Sequence, residues 1–139
     1  MTIKTATNDH DILKCWEVMH ALRPHLEANK FLLLIKEMQT EGYCLAFIEE
    51  NNQAVAAVGF RYLQFLFNGK HIYIDDLSTL PEARGKGYGA ALLDHVLEIA
   101  TQKGYIQVTL DSGYQRHDAH RLYLNKGFKL GSHHFVKVL

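Results

Sequence analysis

Three glycines alternate in Arg84-Gly85-Lys86-Gly87-Tyr88-Gly89, between a strand-like run, Lys70 to Leu80, and an apolar pattern of helical period. No other stretch limits the fold as much. Glycine in alternation suits neither a strand nor a helix interior, so the segment must turn. A helix beginning behind it leaves its first amides unbonded, at the positive end of its dipole. Glycines let those amides approach a ligand without side chains in the way, and Arg84 and Lys86 add charge. The combination suits a bound diphosphate. An ordinary strand-to-helix loop is the plainer reading, but such a loop does not call for glycine at every second position.

Two other glycine motifs are excluded by spacing. The P-loop needs four residues between its glycines and then Lys-Ser or Lys-Thr. The dinucleotide fingerprint fits better, since Gly85-x-Gly87 opens a helix and Asp111 ends the next strand near the place of a ribose-binding acid. Its last glycine would come one position early, however, and "TLPEA" separates the preceding strand from the turn.

The surrounding chain reads as one mixed α/β domain over residues 1–139. A short strand at 2–6 is followed by an amphipathic helix from Ile12 to Leu22, stopped by Pro24, and by a second helix within 28–42. Residues 43–79 read as an antiparallel meander, with Asn68-Gly69 marking a tight hairpin. Helix 90–103, a strand within 105–111, helix 118–127 and two last strands, at 128–131 and 133–139, complete the pattern. The order predicts a central, mostly antiparallel sheet with helices on both faces. The last strand would offer an edge for self-association, leaving a homodimer open.

Composition narrows the class of function. The 139 residues carry zero formal net charge, 47% apolar and 22% charged residues, an ordinary globular balance without the basic excess of a dedicated nucleic-acid binder. Cys15 and Cys44 are too few for a disulfide scaffold. The first ten residues have no apolar signal core, and no apolar run reaches the roughly 20 residues that span a bilayer. A soluble, cytoplasmic protein is expected. His117 and His120 share a helix face but lack a third ligand, so no metal is expected.

The stretch "IDDLSTLPEARGKGYG" resembles the acyl-CoA loop of the GNAT family of N-acetyltransferases, with Arg84, Gly87 and Gly89 at the motif positions. A second stretch, "DAHRLYLNKGF", resembles that family's other motif, a tyrosine four residues before Gly-Phe: Tyr123, Gly127 and Phe128. The residues from 111 to 128 resemble bacterial members related to aminoalkylphosphonate N-acetyltransferase. The resemblance implies a GNAT-like domain that uses acetyl-CoA to acetylate a primary amine of a small molecule, without nucleic acid or membrane. It further implies a donor site at Arg84, Gly85, Lys86, Gly87, Tyr88 and Gly89. Leu77, Ser78 and Thr79 would pair with the pantetheine arm. Ala119 is small where that arm would pass, one turn before Tyr123.

Amine acetylation needs a base for the ammonium and an acid for the departing thiolate. Tyr123 is the candidate acid. Asp75 and Asp76 are the candidate bases, although both equally suit a structural role. Strand alternation sends them to opposite faces unless a bulge intervenes. Asp75 is favoured, acting through water, because it shares parity with Tyr73, at the position where the family often carries its base. Arg116 stands where many members have asparagine. It would meet a cofactor phosphate or a substrate anion, and with Arg121 and Lys126 it equally suits a solvated face. A non-catalytic acyl-CoA-sensing module and a protein-modifying acetyltransferase are the alternatives.

Overall fold

A computed structural model describes residues 1–139. The chain divides into two compact units, Met1–Thr109 and Leu110–Leu139. The first holds β1 (Lys4–Thr5), α1 (Asp9–Lys14), α2 (Trp16–Leu22), α3 (Ala28–Thr40), β2 (Tyr43–Glu50), β3 (Gln53–Phe65), β4 (Gly69–Thr79), a 3-10 turn (Pro81–Ala83) and α4 (Tyr88–Gln102). β5 (Gln107–Leu110) runs to the boundary, and α5 (His117–Asn125) lies in the second unit.

The sheet order is β1-β2-β3-β4-β5. The first four strands are antiparallel neighbours. The α4 crossover between β4 and β5 is the kind of connection that parallel neighbours require. Central β3 explains its own sequence. Its run Ala54–Phe60 is buried at every position, so alternation disappears, as it must in a strand covered on both faces. α2 packs on β3 and β4, and α4 packs on β2, β3 and β4. Phe47, Leu45, Ile72, Leu92, Leu93 and Val96 form the middle of this core.

The first expected helix is two. Asn8 caps α1, its side-chain oxygen accepting from the Asp11 amide at 2.8 Å. Buried Cys15 then breaks the helical path with ψ near 0. α2 restarts at Trp16 and ends at Arg23, which precedes Pro24 and takes non-helical angles (φ −122, ψ 78).

The strands expected at 128–131 and 133–139 are absent, and residues after Asn125 carry no regular structure. Strand propensity reflects cross-strand packing and burial, and these side chains have neither: Phe135 is 90% exposed and Val138 89%. The edge that the sequence offered for self-association is therefore not formed.

Candidate active site

The glycine turn leaves the sheet at the end of β4. Arg84 follows the 3-10 turn in an extended conformation, and Arg84, Gly85, Lys86 and Gly87 are all exposed. Gly85 (φ +81) and Gly87 (φ +82) adopt left-handed angles, with nothing within 4 Å of where a Cβ would stand. Gly87 is the N-cap of α4, and no side chain caps the helix. The first intrahelical bond runs from the Ala91 amide to the Gly87 carbonyl, so the amides of Tyr88, Gly89 and Ala90 are left without helical partners. Gly89 lies inside α4, which begins two residues earlier than the apolar pattern indicated. An exposed turn, open space over its glycines and unpaired amides at a helix N-terminus fit an anionic phosphate group.

An acid from another strand is bonded to this turn. Glu50, at the end of β2, accepts from the Tyr88 hydroxyl and pairs with Lys86 at 3.4 Å. The Tyr88 hydrogen bond, and to a lesser degree the Lys86 charge, hold the Glu50 carboxyl below its usual range.

Leu77, Ser78 and Thr79 end β4, paired with Val58, Ala57 and Ala56 of β3. The Ser78 hydroxyl is committed elsewhere, donating to the Val18 carbonyl at 2.8 Å.

A bulge does intervene at the acids. Gly59 pairs with Asp76 and Phe60 with Ile74, so Asp75 is the extra residue. The two carboxylates are bound very differently. Asp76 accepts at Oδ1 from Arg23 Nε (3.1 Å) and Nη2 (3.0 Å), and at Oδ2 from the Tyr43 hydroxyl (2.8 Å). Asp75 accepts at Oδ2 from Arg61 Nε (2.9 Å), while its Oδ1 is buried with no hydrogen-bond partner. Burial pushes the Asp75 carboxyl up, against the opposing pull of Arg61.

The arginines, Tyr43 and Gly59 were not among the expected site residues. One signal was available, because an isolated glycine within a strand marks a bulge or a close approach. Both apply here. A Cβ on Gly59 would stand 1.8 Å from the Tyr43 hydroxyl oxygen, so the phenol crosses this glycine to reach Asp76.

Arg116, Ala119 and Tyr123 belong to the second unit. Arg116 precedes α5 as its N-cap residue, and Ala119 and Tyr123 are one turn apart on it. The Tyr123 ring is tilted against Phe128, centroids 5.9 Å apart. Burial raises its phenol, with Arg116 pulling the other way, so the hydroxyl keeps its proton at neutral pH. His120 Nε2 is bonded to the Gly113 carbonyl at 2.9 Å.

Fold and turn define an α/β domain with an exposed glycine turn and uncapped helix amides where a strand hands over to a helix. The model of the Acetyltransferase (GNAT) family matches residues 10–128, so the chain belongs to the GNAT family of N-acetyltransferases. The match reaches back into α1, further than the two motifs do. Membership implies an acyl-CoA as acyl donor. A Bacillus subtilis (strain 168) relative bearing the name "Uncharacterized N-acetyltransferase YhdJ" is 35% identical over 137 residues, covering 97% of this chain and 96% of its own. The aminoalkylphosphonate N-acetyltransferase of Salmonella typhimurium is 39% identical over 66 residues, 48% of this chain and 43% of that protein. Among solved structures, a GNAT family acetyltransferase from Staphylococcus aureus superimposes with a TM-score of 0.82 at 20% identity, covering 99% of this chain and 98% of that one. No helix is long and apolar enough to cross a membrane.

Proposed function

We propose that the protein is an acetyl-CoA-dependent N-acetyltransferase acting on a primary amine of a small molecule, by direct attack in a ternary complex. The observation that carries this reading is the exposed glycine turn, with uncapped α4 amides behind it, in a chain that belongs to the GNAT family. Arg84, Gly85, Lys86, Gly87, Tyr88 and Gly89 bind the diphosphate of the donor. Leu77, Ser78 and Thr79 offer main-chain groups to its pantetheine arm, and Ala119 gives the arm room.

The acceptor arrives as an ammonium and must lose a proton before it can attack. Asp75 takes that proton through a water held at Oδ1, the one oxygen of the two carboxylates without a hydrogen-bond donor. Burial supports the role, because a carboxylate of raised pKa is a stronger base. The amine nitrogen then attacks the thioester carbonyl carbon, and as the C–S bond breaks the nitrogen releases its second proton to solvent and the amide forms. The thiolate takes a proton from Tyr123, which recovers one from solvent, while Asp75 returns its own. Asp76, with three donors upon it, has no such oxygen.

Arg116, with Arg121 and Lys126, suits an anionic group on the acceptor, and the aminoalkylphosphonate relative supports a phosphonate-bearing amine. The whole chain acts as one catalytic domain in this reading. The test is thiol release from acetyl-CoA across a panel of 2-aminoethylphosphonate, spermidine, glucosamine 6-phosphate and lysine peptides. Turnover of a small amine supports the reading. Tight acetyl-CoA binding with no turnover of any amine indicates a sensing module, and turnover of peptides alone a protein-modifying enzyme. Tyr123→Phe should lower kcat far more than donor affinity, and wild-type turnover in that variant removes the phenol as the acid.

A further inference from the structure

The polar groups around the β4 bulge form a closed arrangement with one buried acceptor left unpartnered. Arg23 leaves the end of α2 and reaches two consecutive residues of β4: its guanidinium bonds the Asp76 carboxylate and, through Nη2 at 3.0 Å, the Asp75 carbonyl. Tyr43 on β2 takes the other Asp76 oxygen. It can do so because Gly59, directly opposite Asp76, has no side chain. Arg61 on β3 lies over the Tyr43 ring, 5.4 Å from its centroid, and bonds Asp75. Three elements thus converge on two residues of backbone, and each Asp76 oxygen has a donor. The single acceptor without a donor is Asp75 Oδ1.

A bulge is a place where a strand has a choice of local geometry, since the extra residue has no ladder partner. Which way Asp75 presents its free oxygen therefore depends on what grips the bulge from outside the ladder. Arg23 is the one residue that holds both the side chain of Asp76 and the main chain of Asp75.

We propose that Arg23 is a positioning residue of the reaction: with Tyr43 and Asp76 it holds the β4 bulge so that Asp75 Oδ1 stays the unpartnered proton acceptor, and Asp76 takes no proton from the substrate. The role rests on the reading of Asp75 as the base. Tyr43 fits this assignment as a permanent donor, because burial and the adjoining Asp76 push its phenol well above the usual range. A planar guanidinium fits it as well, since an ammonium can take one oxygen but cannot hold a carboxylate and a neighbouring carbonyl in one plane.

The test uses the full chain with acetyl-CoA and 2-aminoethylphosphonate. Arg23→Gln should lower kcat on the order of 10- to 100-fold, the scale of a misplaced catalytic group, with KM for acetyl-CoA changed less than about twofold. The acid limb of kcat should move to higher pH, because a cation that favours the Asp75 carboxylate is gone. Arg23→Lys should recover part of the rate. Tyr43→Phe should act in the same direction, and the double variant should be no slower than the slower single one. A folded Arg23→Gln with wild-type kcat and an unmoved pH profile overturns the proposal, as do strictly additive losses. Should Arg23→Gln not fold, Tyr43→Phe decides by its own kcat and pH profile.

The two readings fail separately. Wild-type turnover in Asp75→Asn removes the base itself, whereas an inactive Asp75→Asn beside fully active Arg23 variants removes only the clamp. If 2-aminoethylphosphonate is not turned over, amide hydrogen exchange at residues 74–77 reads the clamp directly. Faster exchange there in Arg23→Gln, with the rest of β3 and β4 unchanged, supports it, and an unchanged pattern overturns it.

Discussion

Glu50 and Lys86 are paired across 3.4 Å at the mouth of the glycine turn, and the Tyr88 hydroxyl donates to the same carboxylate. With the donor's diphosphate on this turn as proposed, a carboxylate there opposes it and occupies a cation that would otherwise meet it. Glu50→Gln should tighten acetyl-CoA binding by up to about fivefold, the range of one exposed ion pair, and the gain should shrink as salt is raised. Isothermal titration at two ionic strengths checks this. Weaker binding would mean that Glu50 serves the turn by holding Tyr88.

Gly87→Ala separates backbone strain from ligand contact. A Cβ there meets nothing, yet φ is +82, so the cost is conformational, about 1–2 kcal/mol. Gly104 has φ +72 and equally open surroundings, away from the turn. Both alanine variants should lose similar stability in urea, but only Gly87→Ala should weaken acetyl-CoA binding. Equal affinities in the two would take Gly87 out of the donor site.

Gly59→Ala should be costly for a different reason. The added methyl would collide with a phenol that is 3% exposed and bonded to Asp76. Overpacking of this kind costs about 1–3 kcal/mol, and the displaced Tyr43 leaves Asp76 short of a donor. Thermal melts give the stability, and turnover should fall along with it.

Stability should decline on the alkaline side. Cys15 is fully buried, and burial pushes its thiol up from 9.0 to about 12. Above about pH 9 the unfolded chain sheds a proton that the folded one keeps, so unfolding is favoured more as pH rises. Stability is therefore complete below that pH and falls by up to about 1.4 kcal/mol per unit above it, until the buried thiol itself ionises. Tyr43, raised by burial, adds to the decline at higher pH. Urea midpoints in Cys15→Ala should show a shallower alkaline slope than wild type. Identical slopes would show that the thiol is not the source.

Much of the fold was legible because its signals are local. Strand-like runs broken by turn residues marked the β2–β4 meander, Asn68-Gly69 its hairpin, and Pro24 the end of α2. That the chain turns at the glycines was legible for the same reason: positive φ at Gly85 and Gly87 is a property of those residues themselves. The tail was misread because Phe135, Val136 and Val138 have the composition of a strand without the neighbours that make one. The clamp was invisible for the opposite reason. Arg23 and Asp76 are 53 positions apart, and only the bulge brings their groups to 3.0 Å. Gly59 alone announced it, as a gap in a strand otherwise rich in alanine and valine.

A rule for redesign follows from where Arg23 stands. It closes α2, one residue before the proline that redirects the chain, yet its side chain governs the strand that bears the candidate base. Engineers who recast the helices α1 to α3 must keep a guanidinium at this joint. A library that randomises it will confuse lost recognition with lost chemistry.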